Sequence, residues 1–164
     1  MTETVDKKPD EIALRFCRAT TEHLRQVVDL DARTTGKPKP EYWADIFERY
    51  GSRRVDQRFF LVAERADRPD DHEIVGMIVG EVRGWEFGSE PCGWIFAVSV
   101  DPEQRQMRIG EGLFQAMCAE FRRAGITTIR TMVRRDNPLH MSFFRGEGMS
   151  AGPYVQLELN LDET

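Results

Sequence analysis

Gly110 and Gly112 lie where a nearly continuous apolar segment, Gly93–Val100, gives way through Asp101-Pro102 to a stretch of helical apolar periodicity starting near Ile109. A helix that begins there has first-turn amides with no internal acceptor and a partial positive charge at its end. Glycines in that turn carry no Cβ, so an anion can approach the backbone closely, and a pyrophosphate suits such a site. A glycine-containing turn that merely starts a helix is the competing reading. The segment lacks the GK[ST] ending of a nucleoside-triphosphate loop, and it lacks the GxGxxG of a dinucleotide fold. Arg108 has two readings of equal weight, a guanidinium that reaches a phosphate or one that faces solvent.

Acid–base chemistry has several carriers. Glu81, Glu86 and Glu90 lie on or beside the strands preceding Val100, where a carboxylate can take a proton directly or through water. For Glu81 an exposed strand-edge charge is the favoured reading. His140, Ser142 and Tyr154 follow downstream as candidate acids; a helix-surface role is favoured for His140 and packing for Tyr154. Cys17, Cys92 and Cys118 are scattered, with no CxxC and no cluster with His23, His72 or His140. Disulfide framework, zinc site and nucleophilic thiol are therefore all disfavoured, and Cys17 and Cys118 read as small core residues.

The elements that must position these groups follow from pattern. A strand is predicted over Ala13–Ala19, then a helix capped by Thr20-Thr21 with Leu24, Val27, Val28 and Leu30 on one face. Gly36–Pro40 breaks it, and a short helix over Glu41–Tyr50 presents Tyr42, Trp43, Ile46 and Phe47. Strands are predicted over Phe59–Ala63, Ile74–Phe87 and Gly93–Val100, the last of them central because it is apolar on both faces. Helix, strand, helix and strand follow over Ile109–Ala124, Thr127–Val133, Pro138–Glu147 and Tyr154–Leu161. This order predicts one three-layer α/β domain over residues 13–164, a mixed twisted sheet flanked by helices.

The 164 residues fit one domain of ordinary size, and residues 1–12 read as a disordered polar tail without the apolar core of a signal peptide. No apolar run reaches the ~20 residues of a membrane span. The expectation is a cytoplasmic protein with no membrane partner. A net charge of −5 disfavours nucleic acid as a partner.

The stretch Val98–Leu113 resembles the cofactor motif of the GNAT acetyltransferases, [RQ]-x-x-G-x-[GA] after a V-x-P strand end, through Val100, Pro102, Arg105, Ile109, Gly110 and Leu113. Asn137–Met149 resembles that family's second motif through Asn137, Phe143 and Gly148. The element order fits over about residues 13–161. The resemblance implies acetyl-CoA as cosubstrate, no metal, and direct attack of an amine on the thioester. It implies that backbone groups of Val98 and Val100 pair with the pantetheine. The amides of Arg105, Gln106, Met107, Arg108, Ile109, Gly110, Glu111 and Gly112 would hold the pyrophosphate, with Asn137 and Phe144 along the cofactor. It further implies that the strand carrying Val98 splays from the one near Thr131.

Three positions depart from the family pattern. Arg108 replaces a glycine, Phe144 replaces a tyrosine that protonates the leaving thiolate, and Trp94 stands where some members carry a glutamate base. Glu90, Glu86, His140 and Ser142 are then the catalytic candidates. A small-molecule amine, aromatic or weakly basic, suits a site without a base, because such an amine is already neutral. Trp43, Trp85, Phe87 and Trp94 are candidates to line its side. Protein N-acetylation is the alternative acceptor class, and a non-catalytic acyl-CoA sensor the alternative function. The alternation of Val155, Leu157, Leu159 and Leu161 with polar residues predicts a half-buried strand at a sheet edge and a homodimer.

Overall fold

Ile109, Leu113, Met117 and Phe121 recur every fourth residue, so they form one stripe along a helix, and all four are fully buried. That helix, α3 (Ile109–Arg123), packs on one face of a five-stranded sheet. The computed structural model describes residues 12–71 and 73–163. The expected tail lies outside the described residues apart from Ile12, as does His72. No helix among the described residues is long and apolar enough to cross a membrane.

The sheet consists of β1 (Leu14–Arg18), β2 (Arg58–Arg65), β3 (Ile74–Arg83), β4 (Cys92–Val100) and β5 (Ile129–Thr131), in that spatial order. The first four strands pair antiparallel, and β4 pairs parallel with β5. The second face is covered by α1 (Leu24–Thr35) and α2 (Pro40–Ile46). Val27 and Leu30 of α1 and Trp43 and Ile46 of α2 enter a core with Phe60, Val62, Met77 and Val79. Buried Asp31 joins the two helices, accepting from Trp43 Nε1 at 2.9 Å and pairing with Lys39 Nζ at 2.9 Å. Gly36, at φ 76°, ends α1 as the sequence predicts.

Close approach explains the strand glycines. A Cβ on Gly76 would meet Ile109 and Leu113 at 2.9 Å, and one on Gly93 would meet three atoms of the Phe121 ring at 2.7 Å. The α3 stripe rests directly on backbone there. Cys92 and Cys118 are buried core residues. Burial and the neighbouring Glu64 carboxylate push the Cys17 thiol up from its ordinary value, which opposes nucleophilic use.

The chain falls into two compact units, divided between Met132 and Val133. The second contains α4 (Pro138–Gly146), capped by Asn137, whose side chain accepts from the His140 amide at 3.1 Å. Three expectations are corrected here. The strand predicted to reach Phe87 ends at Arg83, because Trp85 and Phe87 adopt left-handed φ of 59° and 47° in the connection that follows. The strand predicted over Thr127–Val133 is paired only at Ile129–Thr131. Tyr154–Leu161 is not a strand: residues 154–160 belong to no ladder, and a 3-10 turn covers Leu161–Glu163. Alternation supplies the faces of a strand but not the partner that completes its hydrogen bonds.

Candidate functional site

The β4–β5 ladder runs from Gly93↔Ile129 to Ile95↔Thr131 and stops, with Thr131 Oγ1 donating to the Ile95 carbonyl at 2.8 Å. Beyond Ile95 no strand among the described residues pairs the outer edge of β4. Its backbone from Phe96 to Val100 is therefore not taken up by the sheet on that side, while its inner edge remains paired through Ile78↔Val98 and Gly76↔Val100. A row of main-chain donors and acceptors is what an extended ligand with amide groups can pair with.

A bulge sharpens this edge. Val79 faces Ala97 and Gly80 faces Ile95, so Phe96 is an extra residue on β4. Bulges bend a strand and increase its local twist, and this one lies where β4 and β5 part. Nothing in the sequence marks it. Phe96 packs its ring edge-on to buried Tyr50, centroids 5.3 Å apart.

At its far end β4 feeds the turn that the sequence marks as a candidate anion site. Asp101 caps the 3-10 segment Pro102–Met107 by accepting from the Glu103 amide at 3.0 Å. Arg105 is exposed there, and Met107 is partly covered. Arg108 follows as the N-cap of α3, and the helix's first internal bond runs from Gly112 N to Arg108 O at 3.1 Å. The amides of Ile109, Gly110 and Glu111 precede that bond and have no acceptor within the helix.

Two residues of this turn have contacts that bear on their expected roles. Arg108 takes φ 55°, the conformation the expected glycine would supply, and its guanidinium forms a two-pronged pair with Glu111 at 2.6 and 2.8 Å. The side chain is 79% exposed, which favours the solvent-facing reading. Gly112 is explained by packing, since a Cβ there would collide with the Phe16 ring of β1.

Left-handed φ costs a non-glycine residue about 1–2 kcal/mol. The exposed Arg108–Glu111 pair offsets at most about 1 kcal/mol of it. Arg108→Gly is expected to be about 1 kcal/mol more stable than Arg108→Ala in urea unfolding, since both lose the pair and only alanine keeps the strain. An alanine variant at least as stable as the glycine variant would refute this account of the turn.

The acid–base candidates are distributed unevenly. Glu86 and Glu90 are exposed in the β3–β4 connection, at the Cys92 end of β4. Six residues of strand, about 20 Å at ~3.3 Å per residue, separate that end from Val98. Glu86 pairs with Arg83 at 4.0 Å. Glu81 is held inside the sheet layer instead. It lies opposite Trp94, accepts from the Tyr50 hydroxyl at 2.9 Å and from Arg83 Nε at 3.1 Å, and has Arg58 at 4.0 Å. Burial, with the Glu81 hydrogen bond, raises the Tyr50 phenol above its ordinary value, so it stays protonated at neutral pH. Arg83 also stacks over Trp94, 4.5 Å from its centroid. Sequence reading favoured an exposed edge charge for Glu81; the partner it did not find, Tyr50, lies 31 residues away.

In the second unit, His140 Nδ1 lies 3.2 Å from Asn137 Nδ2, so the ring nitrogen accepts and the neutral imidazole carries its proton on Nε2. Ser142 is exposed, and Phe144 is buried with its ring edge-on to Phe143 at 5.0 Å. Trp43 is core, whereas Trp85 and Phe87 are exposed.

Comparison with known proteins identifies the family and the fold. Residues 24–149 match the acetyltransferase (GNAT) family. A mycothiol acetyltransferase of Kocuria rhizophila is 30% identical over 104 residues, 63% of this chain and 34% of that protein. The chain therefore spans about a third of that relative's length. An aminoglycoside N-acetyltransferase in complex with CoA superposes with a TM-score of 0.77 at 14% identity, covering 96% of this chain and 99% of the other. An aminoglycoside antibiotic 6'-N-acetyltransferase from Acinetobacter baumannii does so with 0.73 at 16%, covering 91% and 99%. At these identities the likeness is one of fold.

Proposed function

The chain belongs to the GNAT acetyltransferase family, and we propose that it transfers an acetyl group from acetyl-CoA to a small-molecule amine that is neutral at physiological pH. The observation that carries this reading is the continuity of the β4 edge beyond Ile95 with the start of α3. The edge matches the two amides of a pantetheine arm, and the helix start matches the pyrophosphate at its other end. The main chain of Val98 and Val100 pairs with the arm, and amides within Arg105–Gly112 receive the phosphates. Acetyl-CoA supplies an acetyl group activated as a thioester. The amine's C–N bond forms as the C–S bond breaks, and the proton lost by nitrogen leaves to water or to the departing thiolate.

The acceptor class follows from what surrounds the bulge. Trp94 offers no carboxylate, and Glu81 beside it is already engaged by Tyr50 and Arg83. Lysine-like amines, with pKa ~10.4, are almost wholly protonated at neutral pH and need a base; an arylamine needs only positioning. The acceptors named for two similar folds and for the mycothiol relative are small molecules, which supports a small-molecule acceptor but not its basicity.

Calorimetry with acetyl-CoA and a thiol-release assay over an amine panel at pH 7 test the proposal. Acetyl-CoA is expected to bind, and weakly basic amines to turn over at least ~10-fold faster than lysine peptides. Robust turnover of lysine peptides alone would instead support protein acetylation. Binding with no turnover across a broad panel would support the sensor reading.

A further inference from the structure

Met77 and Val79 of β3 enter the core beneath α1 and α2, so Glu81 and Arg83, next in the same alternation, lie on that face of the sheet. Arg58 faces Glu81 across the β2–β3 pair, and Arg130 faces Trp94 across the β4–β5 pair. Three guanidiniums thus gather around Glu81 and Trp94, on the side of the sheet away from α3. Glu81 is shared by Arg83 at 3.1 Å, Arg58 at 4.0 Å and the Tyr50 hydroxyl at 2.9 Å, and Glu86 approaches Arg83 at 4.0 Å. Tyr50 stays protonated, and Arg49 beyond it is matched by Asp45. Three guanidiniums against two carboxylates leave one positive charge in excess.

Arg83 is already posed for a ligand. Its guanidinium carbon sits 4.5 Å from the Trp94 centroid, and its contacts with Glu81 and Glu86 are both made through Nε. The Nη1–Nη2 edge has no hydrogen-bond partner among the described residues. A planar fork held at one edge and laid on an aromatic face offers two parallel donors to a carboxylate, with little rotamer freedom left to lose. Arg130 adds charge beside it, donating through Nη1 to Ser89 Oγ at 3.1 Å and Cys92 Sγ at 3.5 Å. The location fits an acceptor as well. Trp94 lies two residues from the bulged Phe96, about 7 Å along the strand. On the α3 face the Phe121 ring fills the space at Gly93 and reaches Gly80. An acceptor therefore comes to the parting of β4 and β5 from the Arg83 side.

We propose that Arg83, seated on Trp94, binds a carboxylate of the acceptor, so that the substrate is an amine with a carboxylate about one benzene ring away. This rests on the reading of the β4 edge as the acetyl-CoA site, which brings the thioester to Phe96. A carboxylate matches the single excess charge, whereas a phosphate dianion would also be repelled by Glu81 and Glu86.

Two measurements test the proposal at pH 7. In a thiol-release assay with acetyl-CoA, kcat/KM for 4-aminobenzoate is expected to exceed that for aniline about 10–100-fold, chiefly through KM. R83Q is expected to erase most of that preference, and R83K to keep a smaller share of it, because the charge survives without the fork. In ligand-observed NMR without acetyl-CoA, benzoate signals are expected to broaden with the intact chain and not with R83Q, and benzamide signals with neither. The two readings fail separately. Benzoate held through Arg83 with no amine acetylated refutes acetyl transfer and leaves the carboxylate site standing. Aniline acetylated as well as 4-aminobenzoate, or a preference that survives in R83Q, overturns the carboxylate site and leaves acetyl transfer standing. Faster turnover of 4-aminophenyl phosphate than of 4-aminobenzoate overturns the assignment to a carboxylate. Should R83Q lose its cooperative melt, R83K decides, and an R83K chain with the full preference overturns the site.

Discussion

Gly93→Ala is expected to destabilise the protein by about 2–3 kcal/mol, the upper part of the range for overpacking a tight core site. The added Cβ would lie 2.7 Å from Cγ, Cδ2 and Cε2 of Phe121, against the face of the ring rather than its tip. Phe121 is fully buried and packs edge-on to Phe59 at 5.5 Å, so it has little room to turn away. Relief comes from lifting α3 off the sheet or from shifting β4 at the rungs that hold β5. Urea unfolding should give a lower midpoint with an unchanged slope, and a melting temperature down by about 5–10 °C. Phe121→Leu removes the offending ring, so the double variant should lose clearly less than the sum of the single losses. Strict additivity would disprove the contact as the cause. The contrast at Gly112 is informative: there the colliding ring, Phe16, is exposed in the middle of the edge strand β1 and can rotate outward, so Gly112→Ala should cost less.

These glycines separate what the sequence made legible from what it did not. The four-residue spacing of Ile109, Leu113, Met117 and Phe121 announces a buried helix face, and the apolar run into Asp101-Pro102 announces an inner strand that ends there. Both are local patterns, and both are present in the structure. That Phe121 lies flat on Gly93 is a long-range fact with no local signature. The same holds for Phe16 and Gly112, where a glycine that reads as room for an anion is room for a ring. Phe96 gives no sign of being the bulged residue, because a bulge is a relation between two strands' registers.

The site divides along the same line. The turn at Arg105–Gly112 is legible because the motif is contiguous and its proposed role rests on backbone amides. Glu81 is not, since its engagement by Tyr50 depends on where α2 runs out into the turn at Phe47–Gly51. Glu86 and Glu90 look equivalent to it on paper, but Trp85 and Phe87 turn left-handed and carry that segment out of the strand. Tyr154–Leu161 shows the limit most directly, with a clean alternation and no ladder in the single chain.

Glu64→Leu is expected to cost about 1–3 kcal/mol, the range for leaving a buried donor without its acceptor. Glu64 is 1% exposed on β2, and Arg15 of β1 donates to its carboxylate through two nitrogens. Cys17 Sγ lies 3.6 Å from the same oxygen, and His23 Nε2 lies 3.6 Å from the other. The His23 tautomer follows from its opposite nitrogen. Nδ1 accepts from the Thr20 amide at 2.9 Å, so in the neutral ring the proton is on Nε2, facing the carboxylate. Arg15 is 60% exposed and can return to water when the carboxylate is removed, which is why the loss stays below that of breaking a fully buried charged pair. His23 has no such escape, being buried with its N–H toward the deleted group. Pairing Glu64→Leu with His23→Leu removes both partners, and swapping both for apolar residues is typically far milder than orphaning one. The double variant should therefore regain about 1 kcal/mol or more relative to Glu64→Leu alone in urea unfolding. If the second substitution instead adds its own full loss, His23 and Glu64 are not coupled, and the expected cost must come from Arg15 and the lost packing.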